Sequence, residues 1–251
     1  MIASLPMYDM PHLRGAHDRY WTAIRDALGY GPDALTRGGD PWAEWQSPDL
    51  LLGQTCGLPY RARLHDKVTL VGTPDYDLPD CPPGHYFSYI LRRRAEPRSL
   101  KELCKHGVMA FNDPVSQSGW AAPVAHLAAQ GLHPGKTLHT GAHLSSISAV
   151  LRKTADFAAI DAVTLMLWAQ HDMDGLAFLD AFARTAPTPA LPYITARDTD
   201  PAPIAAALSA AINALSELDR LDLRLRGLTH IPAEDYMVLP VPAPPAELRI
   251  T

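Results

Sequence analysis

An α/β fold in two lobes is predicted for this chain of 251 residues. Three observations carry that prediction. Short apolar runs alternate with amphipathic stretches along most of the chain, Gly- and Pro-rich loops separate them, and two longer crossings, near residues 85–95 and 183–195, interrupt the alternation. Repeated strand–helix alternation implies a parallel sheet covered on both faces. The crossings then divide the chain, with residues 1–90 and 190–251 in one lobe and 91–189 in the other.

The first apolar run, residues 2–7, is predicted to be a strand. Residues 15–28 are predicted helical because Tyr20, Trp21, Ile24 and Leu28 recur at helical spacing. A strand follows over 50–54, a short helix over 60–65 and a strand over 68–72. The β-rich alternation of 85–93 is long enough to cross between lobes. The second lobe reads as helix 99–104, strand 108–111, helix 119–130, strand 137–140, helix 145–153, strand 157–160 and helix 161–170. Residues 178–185 lead into the second crossing and the strand 193–195. Ile204, Leu208, Ile212 and Leu215 then mark one face of a helix over 201–215. The proline cluster at 240–245 reads as a poorly ordered tail.

A hydrophobic content of 47%, with 20% charged residues, is that of an ordinary globular protein. The net charge of -5 argues against nucleic acid or an anionic membrane surface as the partner. No apolar run reaches the roughly 18–20 residues needed to span a bilayer. The first predicted strand begins directly after Met1, so either the protein is cytoplasmic or a signal peptide has been replaced by the starting methionine. The three cysteines, Cys56, Cys81 and Cys104, lack metal-site spacing. Cys56 and Cys81 fall in loops that one sheet edge could bring together, where they either form a disulfide or remain thiols.

Residues 111–120, Phe-Asn-Asp-Pro-Val-Ser-Gln-Ser-Gly-Trp, carry the most chemistry. A buried strand breaks at Asn112-Asp113-Pro114, presents Ser116 and Ser118, and opens a helix at Gly119. Free amides and the positive end of a helix dipole thus meet two hydroxyl donors, which suits an oxyanion. Between Lys105 and Lys136 there is no Lys or Arg, so an anion held here is held by neutral donors. The competing reading is a plain helix cap formed by Ser118 or Asp113. His143 is either an anion donor or a solvated loop histidine, and Asp161 either a carboxylate that meets an amine or a helix cap. Ser4, Tyr8, Gln54, Thr55 and Tyr60 lie at or just after strand ends, where ligands of open sheets bind. Tyr8 and Tyr60 are read together as a ligand wall, with Tyr86 and Trp120 as lesser candidates. No nucleophile elbow, phosphate-binding glycine loop or paired-histidine zinc motif is found, so the chain is expected to be a binding protein and not an enzyme, with no cofactor and no metal.

Three stretches resemble the phosphate, phosphite and phosphonate substrate-binding proteins of ABC importers. They are Asn112-Asp113-Pro114-Val115-Ser116-Gln117-Ser118-Gly119, Gly141-Ala142-His143 followed by Ala149-Val150, and Ala155-Asp156-Phe157-Ala158-Ala159-Ile160-Asp161. The resemblance implies a type II periplasmic binding protein fold, with a hinge of two crossing strands and a cleft between lobes. It implies a periplasmic protein that hands a small oxyanion, a phosphonate or a related phosphorus compound, to an ABC permease. A cytoplasmic enzyme or ligand sensor on the same fold is the alternative. Ser116, Gln117, Ser118 and the Gly119 amide would hold the oxyanion with help from His143, Tyr8 and Tyr60 would face it, and Asp161 would meet a ligand amine. Gln117 replaces the family's threonine. A bare dianion beside Asp161 would be repelled by about 4 kcal/mol at 4 Å and an effective dielectric near 20. A zwitterionic aminoalkylphosphonate escapes that cost.

Overall fold

In the computed structural model, which describes residues 1–245, five strands build the first sheet in the order Ile2–Ser4, Leu50–Gln54, Tyr193–Ala196, Val68–Asp75, Gly227–Thr229. The first two run parallel, whereas Tyr193–Ala196 is antiparallel to both of its neighbours. The predicted amphipathic helix is present as Arg14–Leu28, with Tyr20, Trp21 and Ile24 buried. It stops at Gly29, whose left-handed φ of 78° lets its amide donate to Arg25 O. Ala202–Ala214 and Glu217–Leu223 pack on it. On the other side, Trp45, Leu50, Tyr60, Leu64, Ile194 and Tyr236 share a core.

The second sheet has the order Lys136–His139, Val108–Phe111, Phe157–Asp161, Ser88–Arg93, Leu179–Arg184. Its first three strands are parallel, and Ser88–Arg93 runs antiparallel to both neighbours. Both sheets are therefore mixed, not parallel as the alternation implied. Helix Leu100–His106 opens on a full capping box, Ser99 accepting from the Glu102 amide while Glu102 accepts from the Ser99 amide. Helices Ala122–Ala128, His143–Leu151 and Ala162–Ala169 complete the layer. Short elements absent from the sequence reading also form, among them the helices Pro41–Trp45, Met173–Ala177, Glu217–Leu223 and Ala233–Met237 and the strand Gly227–Thr229.

These elements make two compact units, Met1–His85 with Thr188–Leu239 and Tyr86–Pro187 with residues 240–245. The boundaries fall a few residues from those predicted, and residues 240–245 lie in the second unit instead of the first. Within that unit Trp120 Nε1 donates to Ala243 O at 2.9 Å, so residues 240–245 are docked and do not form a loose tail. Residues 246–251, assigned to the first lobe by the sequence reading, lie outside the described residues. No disulfide is present among the described residues: Cys56 and Cys81 are half-buried and Cys104 is buried. No described helix is long and apolar enough to cross a membrane.

A charged lattice ties the second unit together behind its sheet. Glu96, buried, accepts from Arg98 at 2.6 and 2.7 Å and from Arg93 at 3.0 Å. Asp156 accepts from Arg98 at 2.5 Å and from the Val108 amide at 2.8 Å. The bonds from Arg98, joined by the charge of Arg93, hold the Glu96 carboxyl at about 2, below its usual 4.5. A carboxyl depressed on folding contributes stability above its unfolded pKa and loses it as pH falls through the folded value. Glu96→Gln should therefore cost about 1.5–3 kcal/mol at pH 7, the range for hydrogen bonds to charged groups. Urea denaturation at pH 7, 4 and 2.5 should show the gap between variant and parent shrinking with acid. A gap of constant size would refute this account.

Candidate functional site

The carboxyl ends of the three parallel strands of the second unit supply the site. Val108–Phe111 leads into the serine turn, Lys136–His139 into Thr140 and His143, and Phe157–Asp161 ends on Asp161 itself. Ser116 caps the next helical turn, its Oγ accepting from the Gly119 amide at 3.0 Å. The turn Gln117–Ala121 is wound as a π-helix, with Ala121 N donating to Ser116 O at 3.0 Å. Single π-turns of this kind recur at functional sites. Ser116 is thus the cap, where the sequence suggested Ser118 or Asp113; Asp113 instead accepts from the Val115 amide at 2.8 Å.

Capping by Ser116 frees Ser118 for other partners. Its Oγ lies 2.8 Å from His143 Nε2 and 3.5 Å from Ser116 Oγ. Its carbonyl accepts from Ser88 Oγ at 2.9 Å. Ser88 stands opposite Asp161 in the antiparallel ladder, and its amide donates to Thr185 Oγ1 at 3.0 Å. The serine turn is therefore pinned to the sheet from behind. Thr140 does the same for the neighbouring loop, donating to Phe111 O at 3.0 Å and meeting Ser146 Oγ at 2.7 Å.

His143 opens helix His143–Leu151, and its Nε2 also lies 3.4 Å from Asp161 Oδ2. Burial lowers the pKa of His143 below the ordinary histidine value, and the Asp161 charge opposes this without reversing it. A neutral imidazole carrying its proton on Nε2 donates to Ser118 Oγ and leaves the serine's own hydrogen for an incoming anion. Asp161 accepts from both the Thr164 amide, at 2.8 Å, and the Thr164 hydroxyl, so it caps helix Ala162–Ala169. Serine and aspartate meet the same imidazole nitrogen. A nucleophilic relay would need them on opposite nitrogens, so the arrangement suits holding an anion, not activating Ser118.

Of the predicted residues, the structure brings together Ser116, Gln117, Ser118, Gly119, His143 and Asp161; Ser116, Gln117, Ser118 and Asp161 are 5% exposed or less, Gly119 is buried and His143 is partly buried. The first unit separates the others. Tyr8 and Gln54 line a chamber of about 10 Å³, the size of one water, with His17, Tyr20, Tyr76 and Tyr193. Gln54 Nε2 donates to Tyr76 OH at 3.1 Å, and Tyr8 packs edge-on against Tyr76 with ring centroids 5.3 Å apart. Tyr60 lies elsewhere, in the core, 5.3 Å from the Tyr236 ring, with burial raising its hydroxyl pKa to about 12. Thr55 is fully buried, its amide donating to Pro192 O at 3.1 Å. The pairing of Tyr8 with Tyr60 as one wall is thus not seen; Tyr76, at the end of its strand, is the partner of Tyr8. Ser88 and Thr140 were not among the residues singled out from the sequence.

With this geometry in hand, comparison with known proteins is decisive for the family. The family described as "ABC transporter, phosphonate, periplasmic substrate-binding protein" matches residues 53–236. The chain belongs to that family. As a member of this phosphonate-binding family it is a substrate-binding component of a transport system. Its fold is that of solved relatives. A binding protein component of an ABC phosphonate transporter from Pseudomonas aeruginosa superposes with a TM-score of 0.73 at 13% identity, covering 94% of this chain and 83% of that one. PhnD1 from Prochlorococcus marinus, solved with methylphosphonate, gives 0.70 at 16% identity, covering 94% and 93%. XAC2383 from Xanthomonas citri, solved with ATP, gives 0.65 at 14% identity, covering 94% and 95%. No curated protein sequence matches the chain.

The tightest constraint in the site is at Gly119. A Cβ there would lie 1.8 Å from Asn112 Oδ1 and 2.9 Å from Asn112 Cγ. Gly119→Ala should lower stability by about 1–3 kcal/mol, the usual cost of overpacking. Asn112→Ala in the same chain removes the obstructing atoms, so the double variant should recover much of the loss, measured as a non-additive cycle of thermal midpoints. Strict additivity would mean the clash is relieved some other way.

Proposed function

We propose that this chain binds a small phosphorus oxyanion, a phosphonate in the first instance, on the 116–119 turn and His143, and delivers it to an ABC permease in the periplasm. One observation carries this reading: Ser118 Oγ sits 2.8 Å from a largely buried, neutral His143, in a stretch that has no Lys or Arg from 106 to 135. Hydroxyls, amides and a helix N-terminus replace fixed cations there, which is a means of binding an anion by hydrogen bonds alone. Membership of the phosphonate family and a fold shared with the methylphosphonate-bound PhnD1 support the same ligand class.

The charge of Asp161 shapes which phosphonates fit. An aminoalkylphosphonate would bring its own compensating ammonium, as the sequence suggested. Both Asp161 oxygens are, however, engaged by Thr164, and Oδ2 faces His143. That favours a structural carboxylate beside the histidine, and with it a singly charged alkylphosphonate as ligand. Calorimetric titration with methylphosphonate, 2-aminoethylphosphonate, phosphite and phosphate separates these readings.

Ser118→Ala should weaken methylphosphonate binding by about 1.5–3 kcal/mol, roughly 10- to 150-fold, as for a hydrogen bond to a charged group. Equal affinity in parent and variant would place the site elsewhere. Failure of all four ligands to bind the parent chain would remove the phosphorus reading altogether.

A further inference from the structure

The chain ends, within the described residues, in Pro240-Val241-Pro242-Ala243-Pro244-Pro245. Four prolines in six residues fix φ and remove amide donors, so the segment is extended before it docks and loses little freedom on docking. Its carbonyls remain acceptors. One of them, Ala243 O, takes the indole hydrogen of Trp120 at 2.9 Å. Around that bond Trp120, Val124, Pro134, Ala243, Pro244 and Pro245 line a groove of about 280 Å³. An aromatic donor under a proline-rich strand is the mode by which proteins recognise such peptides in trans; here the peptide is the chain's own.

Trp120 is 5% exposed, packs on Phe111 with centroids 5.3 Å apart, and belongs to the same π-wound turn as Ser118 and Gly119. The proline segment therefore bears on the turn at Trp120, one residue beyond Gly119. Phe111 is the last residue of the strand that feeds the turn. Strand end, turn and proline segment meet at a single indole.

We propose that residues 240–245 are a built-in strap that holds the oxyanion turn in its binding geometry, with Trp120 as the positioning residue, so that strap docking and anion binding reinforce each other. The effect on ligand rests on the function proposed above; the effect on the turn does not. Coupling of this kind is reciprocal: whatever factor the strap adds to anion affinity, the anion adds to strap docking.

The test uses the full-length chain, with Trp120→Phe, which keeps a ring against Phe111 and removes the indole donor, and Pro244→Gly, which loosens the strap at an exposed position outside the core. Without ligand, amide hydrogen exchange over residues 116–119 should rise about 5-fold or more in both folded variants. With methylphosphonate, both should bind about 5- to 20-fold more weakly, and the ligand should slow exchange of the Trp120 indole hydrogen in the parent by a similar factor. Unchanged exchange over 116–119 in Pro244→Gly overturns the proposal even if Trp120→Phe fails to fold. Weaker binding with unchanged exchange also overturns it, because Trp120 would then act without positioning the turn. Faster exchange in the variants of a chain whose parent binds no phosphorus oxyanion leaves the strap standing and removes only the ligand class.

Discussion

The space at residue 119 governs the rest of this site. Strand Val108–Phe111, the turn after it and the first helical residues converge so closely that a single added carbon at Gly119 would sit 1.8 Å from Asn112 Oδ1 and 3.2 Å from His143 Cε1. Without a Cβ, Gly119 leaves that volume to the Asn112 and His143 side chains. Because they share it, Ser116 can reach the Gly119 amide, Ser118 can reach His143, and Ser88 can reach the Ser118 carbonyl. Each bond restricts the next, so the donors are set before any ligand arrives. Preorganisation of this kind lowers the ordering cost of binding.

Charge follows from the same crowding. Burial keeps His143 neutral although Asp161 stands 3.4 Å away, and no lysine or arginine falls in the 106–135 stretch. A cradle of hydroxyls and amides discriminates by the direction of its donors more than by the size of the ligand's charge. An arginine would bind many anions tightly; two serine hydroxyls, one of them oriented by the imidazole, would suit only an anion whose oxygens lie where those hydrogens point. On the proposed function, the carboxylate would add a penalty for doubly charged ligands, falling on phosphate near neutral pH more than on alkylphosphonates of lower charge.

Much of this was legible in the sequence, and the failures have identifiable causes. Strands Leu50–Gln54 and Val108–Phe111 begin and end where the apolar runs do, since polar or turn-forming residues bound both. The serine turn was readable because Asn-Asp-Pro, two serines and glycine in that order have few other uses. Strand direction was not readable: Ser88–Arg93 and Tyr193–Ala196 look like their parallel neighbours residue by residue, and only the path of the chain between units makes them antiparallel. Tyr60 misled for a related reason. An aromatic just past a strand end reads the same whether it turns outward or, as here, into a core beside Tyr236. The five-residue helix Pro41–Trp45 is too short to show a period, and Asp40 caps it through the Trp42 amide. Ser88 lay hidden because its role depends on a ladder partner 73 positions away, Asp161, not on any local pattern.

Why the histidine can be trusted to hold its place becomes clear at the far end of its helix. His143 is the first residue of His143–Leu151, and a helix leaves its last carbonyls without partners. Backbone amides of residues 152–155 meet the carbonyls of Ser148, Ala149 and Val150, and Arg93 adds a clamp: one terminal nitrogen donates to Val150 O at 2.9 Å and to Ala155 O at 2.8 Å, while the other reaches Glu96 and Asp156. Arg93 in turn closes the strand that begins at Ser88, the residue that fixes the Ser118 carbonyl. One strand thus anchors the serine turn with its first residue and the histidine's helix with its last. The distance between Ser118 and His143 is then set by the length of that strand and by the rigidity of one helix, both of which are regular backbone. Sites carried on such elements are held more closely than sites carried on loops, and an anion binder without a fixed cation needs that closeness more than one with an arginine does.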